Sequence, residues 1–237
     1  MKTIVRVSGY RVTEEIYTGN STSIYRGIRE HDLYPVTIEI LRNPLPSFDE
    51  LLKFRHKYEI GKDFDLPNII KTIALETYQN SYALILEDCG SISLKSCLCQ
   101  WGAFGDSPQT LITFLHIAIQ TAEALEGLYC HRVIHKDIKP ANILIHPETH
   151  HIKLIDFSIS SLLPKETQEI KNPNVLEGTL AYMSPEQTGR MNRGIDYRSD
   201  YYALGATFYE LLKGQLPFIS NDQIELITMW ARKFQAK

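Results

Sequence analysis

Residues 133–142 read VIHKDIKPAN, and residues 152–158 read IKLIDFS. The first stretch places Asp137 and Asn142 on one loop, and the second places Asp156 directly after an apolar run that predicts a strand. Carboxylate and amide oxygens are the ligands that hard cations such as Mg²⁺ require. Phosphoryl transfer needs such cations on the phosphates and a side chain that positions the attacking hydroxyl. The two stretches therefore predict a site for phosphoryl transfer.

These motifs resemble those of the protein kinase family, whose catalytic loop reads H-R-D-x-K-x-x-N and whose metal motif reads D-F-G. Residues 135–137 (HKD) match with lysine for arginine, and residues 156–158 (DFS) match with Ser158 for glycine. The alternative is an ordinary loop with solvated charges. The combined spacing from Asp137 to Asn142 and on to Asp156 argues against that alternative.

The resemblance implies a role for each of these residues. Asp137 orients the incoming hydroxyl and accepts its proton, while Lys139 lies beside the transferred phosphoryl group. Asn142 and Asp156 are the implied ligands of Mg²⁺, so ATP and Mg²⁺ are the implied cofactors. His135 is implied to brace the loop rather than to act as an acid or base.

The composition is that of a globular chain, with 237 residues of which 43% are hydrophobic, long enough for one large domain or two lobes. The formal charge of −3 and the lack of a long basic run argue against nucleic acid or a membrane as a partner. No stretch approaches the roughly 20 apolar residues of a membrane span, so a cytoplasmic location is expected. The four cysteines lack C-x-x-C spacing, which favours reduced thiols over zinc.

Residues 1–86 are predicted to form the smaller lobe of a kinase. Short β-branched and aromatic runs predict five antiparallel strands, at residues 10–17, 22–28, 34–41, 69–77 and 81–86. A helix is predicted over residues 47–62, with Ser47 as its N-cap and acidic residues in its first turn. Its inward side is predicted to carry Leu51, Leu52, Phe54 and Tyr58.

The turn between the first two strands, TGNSTS at residues 18–23, corresponds to the glycine-rich phosphate turn of kinases. Only Gly19 falls where a family glycine would, so a plain hairpin is the alternative.

The third strand departs from the family, because Glu39 stands where kinases carry the phosphate-gripping lysine. Lys57 stands where the paired glutamate of the next helix is expected, so the two charges are exchanged. A swapped pair can still tie strand to helix. Whether Lys57 also reaches the phosphates, or Lys53 or Lys62 substitutes, is left open, as is a merely exposed Glu39. A working swap predicts that Lys57→Ala abolishes ATP binding.

Residues 87–90 are predicted to link the two lobes. By resemblance, the backbone near Glu87 and Cys89 binds the adenine ring, and Leu86 guards the back of that pocket. Ile24 and Leu144 are its predicted ceiling and floor; the alternative is that all three apolar residues belong to the core.

Residues 91–237 are predicted to form the larger, mainly helical lobe. Helices are predicted over residues 110–131, 196–212 and 224–234, and short strands over 143–145 and 152–155. In kinases the aspartate corresponding to Asp200 accepts hydrogen bonds from the catalytic loop backbone.

Residues 156–186 correspond to the activation segment and end in GTLAYMSPE. The resemblance implies that Thr179 bridges to Asp137 and Lys139, a trait of kinases that act on serine and threonine. It also implies that Glu186 pairs with an arginine late in the domain, expected beyond the end of this chain. Ser158 narrows the backbone freedom of the metal motif only mildly.

The sequence thus predicts an α+β, bilobal, protein kinase-like fold that lacks its last helices. The residue run 172–193 also resembles the kinase module of large bacterial multi-sensor signalling proteins, which implies further domains. The predicted function is ATP-dependent phosphorylation of protein Ser/Thr hydroxyls. The alternatives are a pseudokinase that acts as a scaffold and, less favoured, a small-molecule kinase.

Overall fold

The computed structural model describes residues 5–162, 179–188, 194–218 and 229. The chain divides into two compact units, with the boundary between Gly90 and Ser91. The predicted helix over residues 224–234, apart from residue 229, and most of the predicted activation segment lie outside the described residues.

The first unit contains the five-stranded antiparallel sheet that the sequence predicts, with strand order β1-β2-β3-β5-β4. The strands are β1 (Tyr10–Thr18), β2 (Thr22–Arg29), β3 (Pro35–Leu41), β4 (Thr72–Tyr78) and β5 (Ser81–Glu87). The prediction that the fourth strand begins at residue 69 was wrong. Ile69 instead closes a turn in which its N–H donates to the carbonyl of Leu66, at 3.1 Å.

Alternation along β3 and β5 divides the apolar residues of this unit into two clusters, because successive strand residues point to opposite faces. Val36, Ile38 and Ile85 belong to one buried cluster. Leu41 and Leu84 pack with Phe54 of the helix on the other face. Glu39 is two residues from Leu41, so it lies on the face of the sheet that the helix covers.

The predicted helix is α1 (Phe48–Gly61), and a capping box fixes its start. Ser47 Oγ accepts from the Glu50 N–H, and the Ser47 N–H donates to the Glu50 carboxylate. Phe54 is buried, but the prediction that Leu52 faces inward was wrong, since Leu52 is 48% exposed. Two residues of helix amount to about 200° of rotation, so Leu52 and Phe54 cannot share a face.

The second unit is built from helices and short strands. Its elements are β6 (Ile92–Ser93), α2 (Leu94–Trp101), α3 (Pro108–Cys130), β7 (Val133–Ile134), β8 (Ile143–Ile145), β9 (Ile152–Leu154), β10 (Ser161–Leu162) and α4 (Tyr197–Lys213). β6, β8 and β9 form one small sheet, and β7 pairs with β10.

Local signals in the sequence mark where helix α3 begins and where helix α4 begins and ends. Ser107 caps α3 with Pro108 in the first turn, a position where the missing N–H of proline costs nothing. Asp196 caps α4, and Gly214 ends it with a φ of 69°, a conformation that glycine adopts readily. Among the described residues, no helix is both long enough and apolar enough to cross a membrane.

Candidate active site

The loop after β7 is anchored to α4 through one buried carboxylate. Asp200 accepts hydrogen bonds from the backbone N–H groups of His135, at 2.8 Å, and Lys136, at 2.7 Å. Burial raises the pKa of Asp200 above its usual range. The contact that the sequence predicted for Asp200 is therefore present, and it fixes the start of the loop.

His135 is fully buried and ties the loop to the segment that precedes Asp156. Its Nδ1 accepts the N–H of Asp137 at 3.3 Å, and its Nε2 lies 3.0 Å from the carbonyl oxygen of Ile155. Since Nδ1 acts as an acceptor, the neutral tautomer with the proton on Nε2 satisfies both contacts. The ring also packs against Phe157, with centroids 5.0 Å apart.

Asp137 lies at the centre of a polar cluster. Its Oδ2 accepts from Lys139 Nζ at 2.5 Å and from Asn142 Nδ2 at 2.9 Å. Its Oδ1 accepts from the backbone N–H of Thr179, at 3.2 Å, and from the Thr179 hydroxyl, at 3.0 Å. Lys139 Nζ also contacts Thr179 Oγ1 at 2.6 Å. Four residues that the sequence singled out are thus in direct contact.

Asn142 and Asp156 come together through the backbone between β8 and β9. The N–H of Ile155 donates to the carbonyl of Asn142 at 2.9 Å. Asn142 uses its amide nitrogen on Asp137, which leaves Oδ1 as the atom that can bind a cation. With the carboxylate of Asp156, this gives a pair of hard oxygen donors that fits Mg²⁺.

Two residues of this region adopt left-handed backbone conformations. The φ of Asp156 is 69° and that of Lys136 is 70°. Such conformations are uncommon for residues other than glycine, cost free energy and concentrate at functional sites. The backbone N–H of Ser158 donates to Asp156 Oδ1 at 3.3 Å.

The described end of the predicted activation segment packs on α4. Glu186 accepts a hydrogen bond from Ser199 Oγ at 2.7 Å; an arginine partner for Glu186 stays a prediction. The hydroxyl of Tyr182 donates to the buried carboxylate of Glu210, which also pairs with Lys95 at 2.8 Å. Burial and this carboxylate raise the pKa of Tyr182.

The contacts of Gln187 and Glu210 were not predicted from the sequence. The Gln187 amide donates to the carbonyl of Lys136 at 3.0 Å and accepts from the N–H of Ser184, so it joins the loop after β7 to the segment that follows Thr179. Glu210 had a detectable signal, because it is the one charged residue in the run YYALGATFYELL at residues 201–212. Gln187 had none, since a surface glutamine and a bridging one look the same in sequence.

In the first unit, Glu39 and Lys57 form the ion pair that the exchanged charges predict. Lys57 Nζ lies 2.8 Å from Glu39 Oε1, and both side chains are largely buried. The alternative that Glu39 is an exposed strand residue was wrong, since only 8% of Glu39 is exposed. Lys53 is exposed, and Lys62 pairs with Glu59 on the surface.

The β1–β2 turn is narrow at Gly19. A Cβ atom there would lie 2.8 Å from the ring of Tyr17. The N–H of Gly19 donates to the carbonyl of Thr22 at 2.9 Å, which closes the turn. Tyr17 is 57% exposed and its ring can move aside, so the backbone hydrogen bond is what closes this turn. The role of Gly19 at the phosphates stays a prediction.

The residues predicted to surround adenine fall in both units. Ile24 opposes Glu39 across β2 and β3, and Leu86 opposes Thr37 across β3 and β5. The carboxylate of Glu87 accepts a hydrogen bond from the backbone N–H of Lys71 at 2.9 Å. Leu144 lies on β8 of the second unit. The adenine roles of these three apolar residues, of Glu87 and of Cys89 stay predictions.

A five-stranded sheet with one helix, followed by a helical unit that presents Asp137, Lys139 and Asn142 on one loop, is the architecture of protein kinases. Residues 10–236 match the protein kinase domain, and the chain belongs to the protein kinase family.

Three curated relatives illustrate the similarity. The chain is 30% identical over 228 residues to the serine/threonine-protein kinase PrkC of Bacillus subtilis, and the matched region covers 93% of this chain and 33% of that protein. It is 26% identical over 222 residues to a probable serine/threonine-protein kinase PknB of Lactococcus lactis, covering 92% and 33%. It is 28% identical over 233 residues to the serine/threonine-protein kinase PknB of Mycolicibacterium smegmatis, covering 94% and 35%. The chain spans about a third of the length of these relatives.

Proposed function

We propose that this domain transfers the γ-phosphate of ATP to serine or threonine hydroxyls of a protein substrate. The observation that carries the proposal is the contact cluster of Asp137, Lys139, Asn142 and Thr179. The choice of serine and threonine is supported by the Thr179 contact and by relatives that are named serine/threonine-protein kinases.

Each residue of the site has a separate role in the proposed phosphoryl transfer. The Asp137 carboxylate orients the attacking hydroxyl and takes its proton as the new O–P bond forms and the bond to the β–γ bridging oxygen breaks. The Lys139 ammonium offsets negative charge on the transferred group. Asn142 Oδ1 and Asp156 are the residues that would hold Mg²⁺, which supplies charge neutralisation on the phosphates when bound. Positioning and electrostatics carry most of the rate in this chemistry.

A second candidate function is a regulatory or scaffold pseudokinase. The observation that favours it is Glu39, because a carboxylate on β3 repels phosphate and its partner Lys57 already holds an ion pair. The pseudokinase would keep the fold without efficient transfer.

A phosphotransfer assay separates the two functions. The purified chain is incubated with γ-labelled ATP, Mg²⁺ and a generic protein rich in serine and threonine. We expect label on the protein substrate, and a loss of at least about 100-fold in Asp137→Asn because the general base is removed. Asp65→Asn, at a carboxylate whose side chain is 95% exposed, is the matched control and should transfer label normally.

Two outcomes would contradict the kinase proposal. Transfer that is equal in the native chain and in Asp137→Asn would show that the label does not come from this site. Binding of ATP without any transfer would favour the pseudokinase.

A further inference from the structure

Arg42 follows β3 directly and holds the β1–β2 turn with two hydrogen bonds. Its side-chain Nη1 donates to the carbonyl of Gly19 at 2.6 Å, and its backbone N–H donates to the carbonyl of Ser21 at 2.9 Å. The guanidinium group of Arg42 therefore lies against the turn that corresponds to the phosphate turn.

Three other cations of the first unit form ion pairs with carboxylates. Lys57 pairs with Glu39, Arg26 pairs with Glu14 and Asp88, and Arg29 pairs with Asp32. Within residues 5–162, 179–188, 194–218 and 229, no carboxylate forms an ion pair with Arg42. Its positive charge is thus not neutralised by a described neighbour.

The turn itself adds hydrogen-bond donors. Among the residues that the structure describes, none accepts a hydrogen bond from the backbone N–H of Asn20 or Ser21. A guanidinium group carries five N–H donors in a planar fork that matches phosphate oxygens, and Arg42 uses one of them on Gly19. Exposed backbone N–H groups beside such a fork form a site suited to an anion.

We infer that Arg42 binds the polyphosphate of the nucleotide and supplies the positive charge that Glu39 removes from β3. This inference rests on the proposed kinase function. Arg42 then has two tasks, since the bond to Gly19 holds the turn in place and the remaining donors face the anion. Substitution of Arg42 should therefore weaken recognition of phosphates and leave recognition of the nucleoside unchanged.

The test is calorimetric titration of the full chain with Mg·ATP and, separately, with adenosine. For Arg42→Gln we expect Kd for Mg·ATP to rise at least about tenfold, the loss typical of a hydrogen bond to a charged group. Kd for adenosine should be unchanged. Arg42→Lys keeps the charge without the planar fork, so its Kd for Mg·ATP should lie between the values of the native chain and of Arg42→Gln. Arg55→Gln is the matched control, since Arg55 is an exposed cation on α1, and it should match the native chain for both ligands.

Each contrary result has a distinct meaning. Unchanged Mg·ATP affinity in Arg42→Gln overturns the role of Arg42 while leaving the proposed kinase function intact. Equal weakening of Mg·ATP and adenosine also overturns it, because Arg42 would then only hold the turn. A native chain that binds neither ligand overturns the proposed function and this inference with it. In an assay of the active chain, the proposal predicts that Arg42→Gln raises KM for ATP more than it lowers kcat.

Discussion

At the scale of single residues, the exchanged pair of Glu39 and Lys57 is where this chain departs most clearly from its family. Both side chains are largely buried, with 10% and 13% of their surfaces exposed. A buried charge that loses its partner is strongly destabilising. The Coulomb attraction within the pair depends little on which of the two residues carries which charge. The pair therefore stabilises the fold whether or not Lys57 also binds phosphate.

We predict that Glu39→Ala and Lys57→Ala each lower the free energy of unfolding by roughly 3 kcal/mol, because each leaves one buried charge without its partner. The reversed double variant, Glu39→Lys with Lys57→Glu, should stay within about 1 kcal/mol of the native chain. Urea unfolding followed by circular dichroism measures all three. Lys62→Ala, which breaks an exposed pair with Glu59, should change stability by less than about 1 kcal/mol. If Lys57→Ala costs no more than Lys62→Ala, the structural task assigned to the pair is wrong.

At the scale of elements, the end of α4 fits closely against the loop that follows α2. The N–H of Phe104 donates to the carbonyl of Leu211 at 2.8 Å. At the next residue, a Cβ atom on Gly105 would lie 2.4 Å from the carbonyl oxygen of Leu212. This contact is with backbone, which cannot move aside as a flexible side chain can.

We predict that Gly105→Ala destabilises the protein by about 1–3 kcal/mol, the usual cost of overpacking. The matched control is Gly205→Ala within α4, where a Cβ would meet nothing within 4 Å. Because alanine favours helix over glycine, the control should be neutral or stabilising by up to about 1 kcal/mol. Thermal unfolding of the two variants compares them directly, and equal midpoints would contradict the close packing at Gly105.

The elements also show how far local sequence patterns can predict this fold. Alternation predicted the five strands, and the capping residue Ser47 predicted the start of α1, since both signals lie within a few residues of the elements they define. The start of β4 and the exposure of Leu52 were missed, because turn closure at Ile69 and the rotation of α1 depend on packing. The contacts of Gln187 with Lys136 and of Arg42 with Gly19 join residues far apart in sequence. No local pattern encodes such pairs.

At the scale of the whole molecule, the half-buried Tyr202 of α4 is expected to make stability depend on alkaline pH. Burial, followed by the charge of Glu186, raises the pKa of Tyr202 to about 12. An unfolded chain ionises tyrosine at its ordinary pKa of about 10. Between these values the folded state retains a proton that the unfolded state has lost. The stabilisation is therefore fully present below pH about 10 and is lost as the pH rises towards 12.

We predict that the free energy of unfolding falls as the pH rises from about 10 to 12, and that Tyr202→Phe makes this fall shallower. Urea unfolding at a series of pH values from 8 to about 11.5, followed by far-ultraviolet circular dichroism, gives the slope for each variant. Tyr17→Phe is the control because Tyr17 is 57% exposed, and it should keep the native slope. Lysine ionisation in the same range affects all three proteins alike, so the difference in slope isolates Tyr202. An identical slope in Tyr202→Phe and Tyr17→Phe would mean that the Tyr202 hydroxyl titrates normally and is not held neutral by the packing around α4.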